Sequence, residues 1–410
     1  MEEQKRVPKL RFAEFSGEWN YEQLENHIDL LSGYAFKGDD ISEDKTGTPL
    51  LRGINITEGH IRHSEDIDRY YTNEIEKLKK YILKENDLVL GMDGSKVGKN
   101  VALINVADEG SLLIQRVSRV RAKKTSDIRF IYLNIFSSRF HRYVDVVNTS
   151  SGIPHISAKQ IKEFKIGFPS LTEQQKIASF LSSVDKKIAQ LQQKQCLLED
   201  YKKGVIQKIL SYKKRLEKFK DDEIRKGKLK DFGYFYYGKG APKSTIKPDA
   251  ETPCVRYGEL YSTYGEEIKE IKSFTNVKPE NLKFSKGGEV LVPRVGEDPL
   301  DFANCSYLPL SGVAIGEMIS VYNTAENGLF LTYYINSMLK KQLAKRVEGG
   351  NVSNLYFRYV EEIEIAIPSV EEQTQIANFL SAIDTKIAVV STQIEKTQKF
   401  KKGLLQQMFV

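Results

Sequence analysis

The residue types best suited to chemistry in this chain are cations, amides and phenols set in short glycine-bounded stretches. GYAFKGDD carries Lys37, LLRGIN carries Arg52 and Asn55, and GMDGSKVGKN carries Lys96, Lys99 and Asn100. Farther along, YYGKGAPKS carries Lys239 and Lys243, VRYGELYSTYG carries Arg256, Tyr257, Tyr261 and Tyr264, and PRVGED carries Arg294. Arginine and lysine can address guanine edges, asparagine can address adenine, and backbone amides in glycine-rich loops can hold phosphates. Singly, each of these is also what a solvated loop contains. As a set they point to contact with DNA.

Bond-making chemistry is less visible. An adenine-type DNA methyltransferase would show an Asn/Asp-Pro-Pro-aromatic tetrad, and the chain has none. The run GMDGSKVGKN resembles a phosphate-binding loop but sets Asp93 where the first glycine belongs and Asn100 where the magnesium-binding hydroxyl belongs. Asp249 followed by Glu267 and Lys269 could spell a metal-dependent nuclease, since carboxylates hold the metal and a lysine supports the attacking water. That spelling is permissive, and it occurs in one half of the chain without a counterpart in the other. The five histidines are dispersed, and Cys196, Cys254 and Cys305 form no CxxC pair, which argues against a zinc site or a disulfide framework and fits a reducing cytoplasm.

The elements that would have to present these loops come in two copies. FPSLTEQQKIASFLSSVDKKI, from Phe168, recurs as IPSVEEQTQIANFLSAIDTKI, from Ile367, and the match extends without a gap over 42 positions, of which 17 are identical. In each copy a proline is followed by serine and, three residues later, glutamate (Ser170 and Glu173, Ser369 and Glu372). This is the signature of a helix start in which serine takes an orphan N–H and glutamate reaches back to the serine N–H. Apolar residues then recur at spacings of four and three, from Ile177 to Ile209 and from Ile376 to Met408. Such a rhythm over four heptads predicts a coiled-coil seam, with helices of about 60 Å. Polar residues interrupt it, among them Lys202 and Lys401, a cost in stability that fixes register.

The segments before the helices also correspond. TPLLRGIN aligns with TPCVRYGEL, KENDLVLGMDG with KGGEVLVPRVG, and FIYLNIFSS with FLTYYINSM, at offsets that settle from 204 to 199 residues. DLVLGM and EVLVPR read as short strands, Phe130–Val147 and Leu329–Val347 as aromatic-rich helices, and EFKIGFPS and EIEIAIPS as strands leading into the long helices. The expected fold is therefore mixed α/β: two similar α/β globular heads separated by two long antiparallel coiled-coil helices with pseudo-two-fold symmetry.

The pattern Pro-Ser-x-x-Glu-Gln-x-x-Ile-Ala-x-Phe-Leu-x-x-x-Asp-x-Lys-Ile, repeated after two dissimilar domains, resembles the conserved regions of the specificity subunit of type I restriction–modification systems. The resemblance covers nearly the whole chain. It implies a target recognition domain at 1–167, a central conserved helix at 168–216, a second recognition domain at 217–366 and a distal conserved helix at 367–410. It further implies that each recognition domain reads one half of a split, asymmetric site in double-stranded DNA. Two methyltransferase subunits and the restriction/translocase subunits would join the complex, and S-adenosylmethionine, ATP and magnesium would belong to those partners, leaving no cofactor in this chain. By the same resemblance, Glu173, Gln174, Phe180 and Asp185, with Glu372, Gln373, Phe379 and Asp384, are candidates for docking the partners. The chain lacks the tetrapeptide repeat some members carry in the central helix.

Composition shows an ordinary globular balance, and the net charge gives a mild hint of a nucleic-acid partner. The chain has 410 residues, 40% hydrophobic and 29% charged, with net charge +7. No stretch approaches the roughly 20 apolar residues of a membrane span, and MEEQKRVPKLRF has no apolar signal core. Between Glu199 and Lys230 twelve Lys/Arg face six Asp/Glu. This segment is either a solvated helix end and linker or a basic strip facing phosphates. Two rival functions follow from the same residues: a stand-alone site-specific endonuclease whose helices form a dimerisation rod, and a purely structural tether.

Overall fold

The computed structural model describes residues 7–148, 154–350 and 352–410. The chain divides into two compact units, residues 1–191 with 393–410, and residues 192–392. The division falls inside both long helices rather than at their starts. Each unit thus holds one α/β head, the first half of the helix that follows that head, and the last part of the other helix.

In the first unit an antiparallel sheet runs in the order Ile28–Ser32, Val117–Ala122, Leu88–Gly91, Val101–Leu103. A second sheet runs Ile41–Ser42, Arg69–Tyr71, Thr48–Leu51, Leu112–Leu113, with its last pair parallel. The second unit repeats both. Its sheets run Gly233–Tyr237, Ile319–Thr324, Glu289–Pro293, Ser306–Leu308, and Ser273–Thr275, Thr252–Val255, Ser311–Ile315, Phe284–Lys286. The parallel pair recurs there, between Cys254–Val255 and Ala314–Ile315.

The run DLVLGM lacks alternation because its strand is buried on both faces. Leu88 and Leu90 join the core beneath the helices, whereas Val89 joins the core between the sheets. Val290 and Val292 against Leu291 repeat the division in the second unit.

The strands that lead into the long helices, Lys165–Phe168 and Glu364–Ile367, form as expected and pair antiparallel with Asn20–Gln23 and Arg225–Lys228. The aromatic helices depart from expectation. Phe130–Val147 is two helices, Ile128–Ile135 and Ser138–Val147, because the Ser137 hydroxyl caps the second by accepting from the Phe140 N–H at 3.3 Å. In the second unit Gly328–Tyr334 continues through a π-helical turn, Ile335–Leu339, into Lys340–Ala344.

The repeated phrase forms two uninterrupted helices, Leu171–Leu210 and Val370–Gln407. Within the first unit Asp185 meets Lys401 at 2.5 Å. Within the second, Asp384 meets Lys202 at 2.6 Å. The residue number falls on one helix as it rises on the other, so the pair is antiparallel, and the two seam lysines each find the aspartate of the opposing copy. The predicted seam holds except at the end of the first helix. There Ile206 and Leu210 are buried (9% and 1% exposed) in place of Val205 and Ile209, which are only partly covered.

Candidate nucleic-acid interface

The Glu-Gln of the repeated phrase fastens each helix to the head before it. The serine half of the expected capping box forms, with Glu173 N–H and Glu372 N–H donating to the Ser170 and Ser369 hydroxyls at 3.3 and 3.4 Å. The glutamate half does not. Glu173 instead takes a two-pronged ion pair from Arg11, both contacts at 2.8 Å, and Glu372 takes one from Arg215 at 3.3 and 2.5 Å. Both carboxylates are 1% exposed, so a guanidinium fork satisfies them better than one backbone N–H could.

The glutamines bind backbone. Gln174 accepts from Asp127 N–H at 3.0 Å and donates to the Pro169 carbonyl at 2.9 Å; Gln373 accepts from Asn327 N–H at 3.0 Å and donates to the Pro368 carbonyl at 3.0 Å. Asp127 and Asn327 are the N-caps of the helices at Ile128 and Gly328, so each glutamine joins a long helix to a short one.

The eight residues that resemblance offers for partner docking therefore divide. Glu173, Gln174, Glu372 and Gln373 are at most 1% exposed and lie inside the heads, which removes them from the molecular surface. Asp185 and Asp384 hold the seam lysines. Phe180 packs edge-on against Phe12, with centroids 5.7 Å apart, while Phe379 is 41% exposed. Arg11 and Arg215 match no motif of their own, although RFAEF from Arg11 and RLEKF from Arg215 share the 204-residue offset seen at TPLLRGIN.

Each head carries a cleft in the same topological place. The first, of about 560 Å³, is lined by Arg52, Arg62, Lys96, Asn100, Gln115 and Arg116, with Asp93 between them. The second, of about 390 Å³, is lined by Lys243, Arg256, Tyr257, Glu259 and Glu317. Arg52 and Arg256 enter through matching turns: Arg52 N–H donates to Asn55 Oδ1 at 3.1 Å and Arg256 N–H to Glu259 Oε2 at 2.8 Å. Asn55 is only 1% exposed and its amide also donates to the Arg62 carbonyl and to Asp68, so it shapes the cleft wall from within. Asp68 and Asp108 flank His63 at 3.1 and 2.7 Å. Burial of that ring opposes its charge, but the hydrogen bonds and charges of Asp108 and Asp68 outweigh it and raise the His63 pKa.

The other loop residues are dispersed around these clefts. Lys37 and Lys99 are exposed. Lys96 pairs with Glu58 at 3.2 Å, and Lys239 reaches the Glu280 carbonyl at 3.3 Å. Tyr261 donates to the Val295 carbonyl at 2.9 Å, and Tyr264 accepts from Lys272 N–H at 3.0 Å, so both hydroxyls have partners inside the head. Arg294 lies over the rings of Tyr237 and Tyr356, 4.5 and 5.6 Å from their centroids.

The basic segment Glu199–Lys230 spends much of its charge internally. Lys202, Arg215, Lys218, Arg225, Lys228 and Lys230 all pair with carboxylates of the second unit. The nuclease spelling gains no support either. Glu267 accepts from Ser381 at 3.3 Å and pairs with Lys269 at 3.4 Å. Among the described residues no group of three His, Cys, Asp or Glu could hold a metal ion. No described helix is long and apolar enough to cross a membrane.

Comparison with known proteins places this geometry. Residues 17–200 and 221–398 both match the family described as the type I restriction modification DNA specificity domain. The putative type I restriction enzyme MjaX specificity subunit of Methanocaldococcus jannaschii is 25% identical over 97% of this chain and 94% of its own length. The EcoAI specificity subunit of Escherichia coli is 31% identical over 39% of this chain, and the aligned part spans 27% of that relative. Among solved structures, the S subunit of a type I restriction–modification system from M. genitalium aligns with a TM-score of 0.64 at 17% identity, covering 98% of this chain and 99% of that one. A chain from a structure of complex assembly and conformational transition in the type I R-M system aligns with a TM-score of 0.53 at 14% identity, covering 95% and 96%. With both heads matching the family and the fold shared along the whole chain, this protein belongs to the type I restriction–modification specificity subunits.

Proposed function

We propose that this chain reads a bipartite, asymmetric site in double-stranded DNA, one half per head, and scaffolds two methyltransferase subunits to which restriction/translocase subunits add. The observation that carries the reading is the duplicated cleft. A scaffold repeated down to its hydrogen bonds presents two openings whose linings differ in charge and donor pattern, which is what two unlike half-sites require. Lys37, Arg52, Lys96, Lys99 and Asn100 serve the first half-site, and Lys239, Lys243, Arg256, Tyr257 and Arg294 the second. Phe379 is the aromatic docking residue exposed to a partner. S-adenosylmethionine, ATP and magnesium work in the partner subunits, in the cytoplasm, and this chain supplies specificity rather than catalysis.

Mapping methylated motifs in cells with and without the chain tests the reading. A two-part motif should disappear with the chain, and a map that does not change refutes the proposal. Four residues inserted into each long helix add about 6 Å, near two base-pair rises, and should alter the gap between the half-motifs. Purified alone with magnesium, the chain should neither cleave nor methylate DNA. Cleavage lost in D249A or E267A would favour the nuclease instead.

A further inference from the structure

We propose that two short turns, Gln115–Arg116 in the first head and Glu317–Met318 in the second, are the positions that discriminate bases. The first would take purine edges, and the second would take cytosine. This rests on the DNA-reading function above and names the residues that would perform it.

The turns are equivalent by backbone register. Met92 N–H donates to the Arg116 carbonyl at 2.8 Å, and Arg294 N–H to the Met318 carbonyl at 3.1 Å. Tyr34 N–H donates to the Leu113 carbonyl and Lys239 N–H to the Ile315 carbonyl, at 2.9 and 2.8 Å. Gly33 N–H and Gly238 N–H donate to Val117 and Ile319. The approach is close enough to require glycine: a Cβ would lie 2.0 Å from the Ile114 carbonyl oxygen at position 33 and 2.1 Å from the Gly316 carbonyl oxygen at position 238. Each head thus fixes the backbone of its turn at the same place on the rim of its cleft.

The turns differ in their side chains and, at Arg116, in backbone torsion, and Gln115, Arg116 and Glu317 are exposed. Neither the Gln115 nor the Glu317 side chain has a hydrogen-bond or ion-pair partner among the described residues. Arg116 is 64% exposed yet aimed, because one of its nitrogens donates to Asp93 at 2.7 Å. Its backbone is left-handed, with φ at 68°, a conformation seldom adopted by a side chain of this size. An oriented guanidinium fork matches guanine O6 and N7, and a free carboxamide matches adenine N6 and N7. A carboxylate facing DNA is repelled by every phosphate. Its place on this rim is explained by a donor, and in the major groove the cytosine N4 amine is the donor a carboxylate reads.

The test maps methylated motifs in cells that carry the full chain with its methyltransferase partner, using the wild type, R116K and E317Q. Both substitutions keep size and fall at exposed positions. R116K keeps the charge but loses the fork. The expected result is a change in preference of roughly 5- to 150-fold at one base of one half-motif for R116K, with the other half untouched, and the converse for E317Q. No motif attributable to the wild-type chain would overturn DNA reading itself. A two-part wild-type motif that both variants keep, or methylation lost evenly at all sites, would overturn the assignment of these turns and leave DNA reading standing.

Discussion

The two heads share their fastenings and differ in their openings. Glu173 with Arg11 and Glu372 with Arg215 are the same buried clamp made twice, and Gln174 and Gln373 hold the N-cap residues of equivalent helices. The clefts above them have diverged, four cations around one aspartate in the first and two carboxylates beside two cations in the second. The contrast teaches where a duplicated scaffold is free to vary. A buried carboxylate without its partner is costly, so the clamp persists, whereas a solvated turn side chain can change at little cost.

Removing a clamp arginine gives the largest expected effect and tests whether the clamps are equal. R11M and R215M each leave a carboxylate buried and unpaired and should weaken the hold of the helix start by about 3–5 kcal/mol. Hydrogen exchange at the first turns of the long helices reads this separately in each unit, and unequal losses would break the symmetry. The seam lysines should separate the units next. Lys202 meets both Asp384 and Glu266, at 2.6 and 2.8 Å and 16% side-chain exposure, whereas among the described residues Lys401 meets only Asp185, whose side chain is 44% exposed. K202M should therefore cost about 2 kcal/mol and K401M about 1 or less, by the same measurement.

The cleft cations predict a smaller difference. Lys243 is exposed with no ion-pair partner among the described residues, while Lys96 already pairs with Glu58. K243Q should lower the slope of log affinity against log salt by about 0.9, and K96Q by less. The smallest effect is peculiar to the first head. The raised pKa of His63 means that its clamp on Asp68 and Asp108 is fully present below the ordinary histidine value of 6.5 and is lost as pH rises through the raised value. Protection of the Arg62 amide, which donates to the Asn55 carbonyl at 2.9 Å, should fall by a few-fold across that window. H63Q should abolish the pH dependence.

The scaffold was legible because it is periodic and duplicated. Two copies of a 4-3 rhythm give the helices, and matched anchors give the heads. Legibility failed where a local pattern competes with a distant partner. Glu173 reads as a capping residue until Arg11, 162 positions away in sequence, claims it. Asn55 reads as a base-reading amide, but Asp68 and the Arg62 carbonyl occupy it. The helix from Phe130 reads as continuous because apolar spacing passes through Ser137, and only the cap geometry ends it. Gln115 and Arg116 carry no signal in sequence, since their place on the cleft rim depends on register with Gly33, Tyr34 and Met92.

The left-handed backbone at Arg116 has an evolutionary corollary. Valine, isoleucine and other branched side chains fit that torsion poorly, while glycine, asparagine and aspartate fit it well. The first head therefore samples a restricted vocabulary at position 116. Met318 lacks that torsion, which leaves the second head the wider repertoire from which new dialects can be drawn.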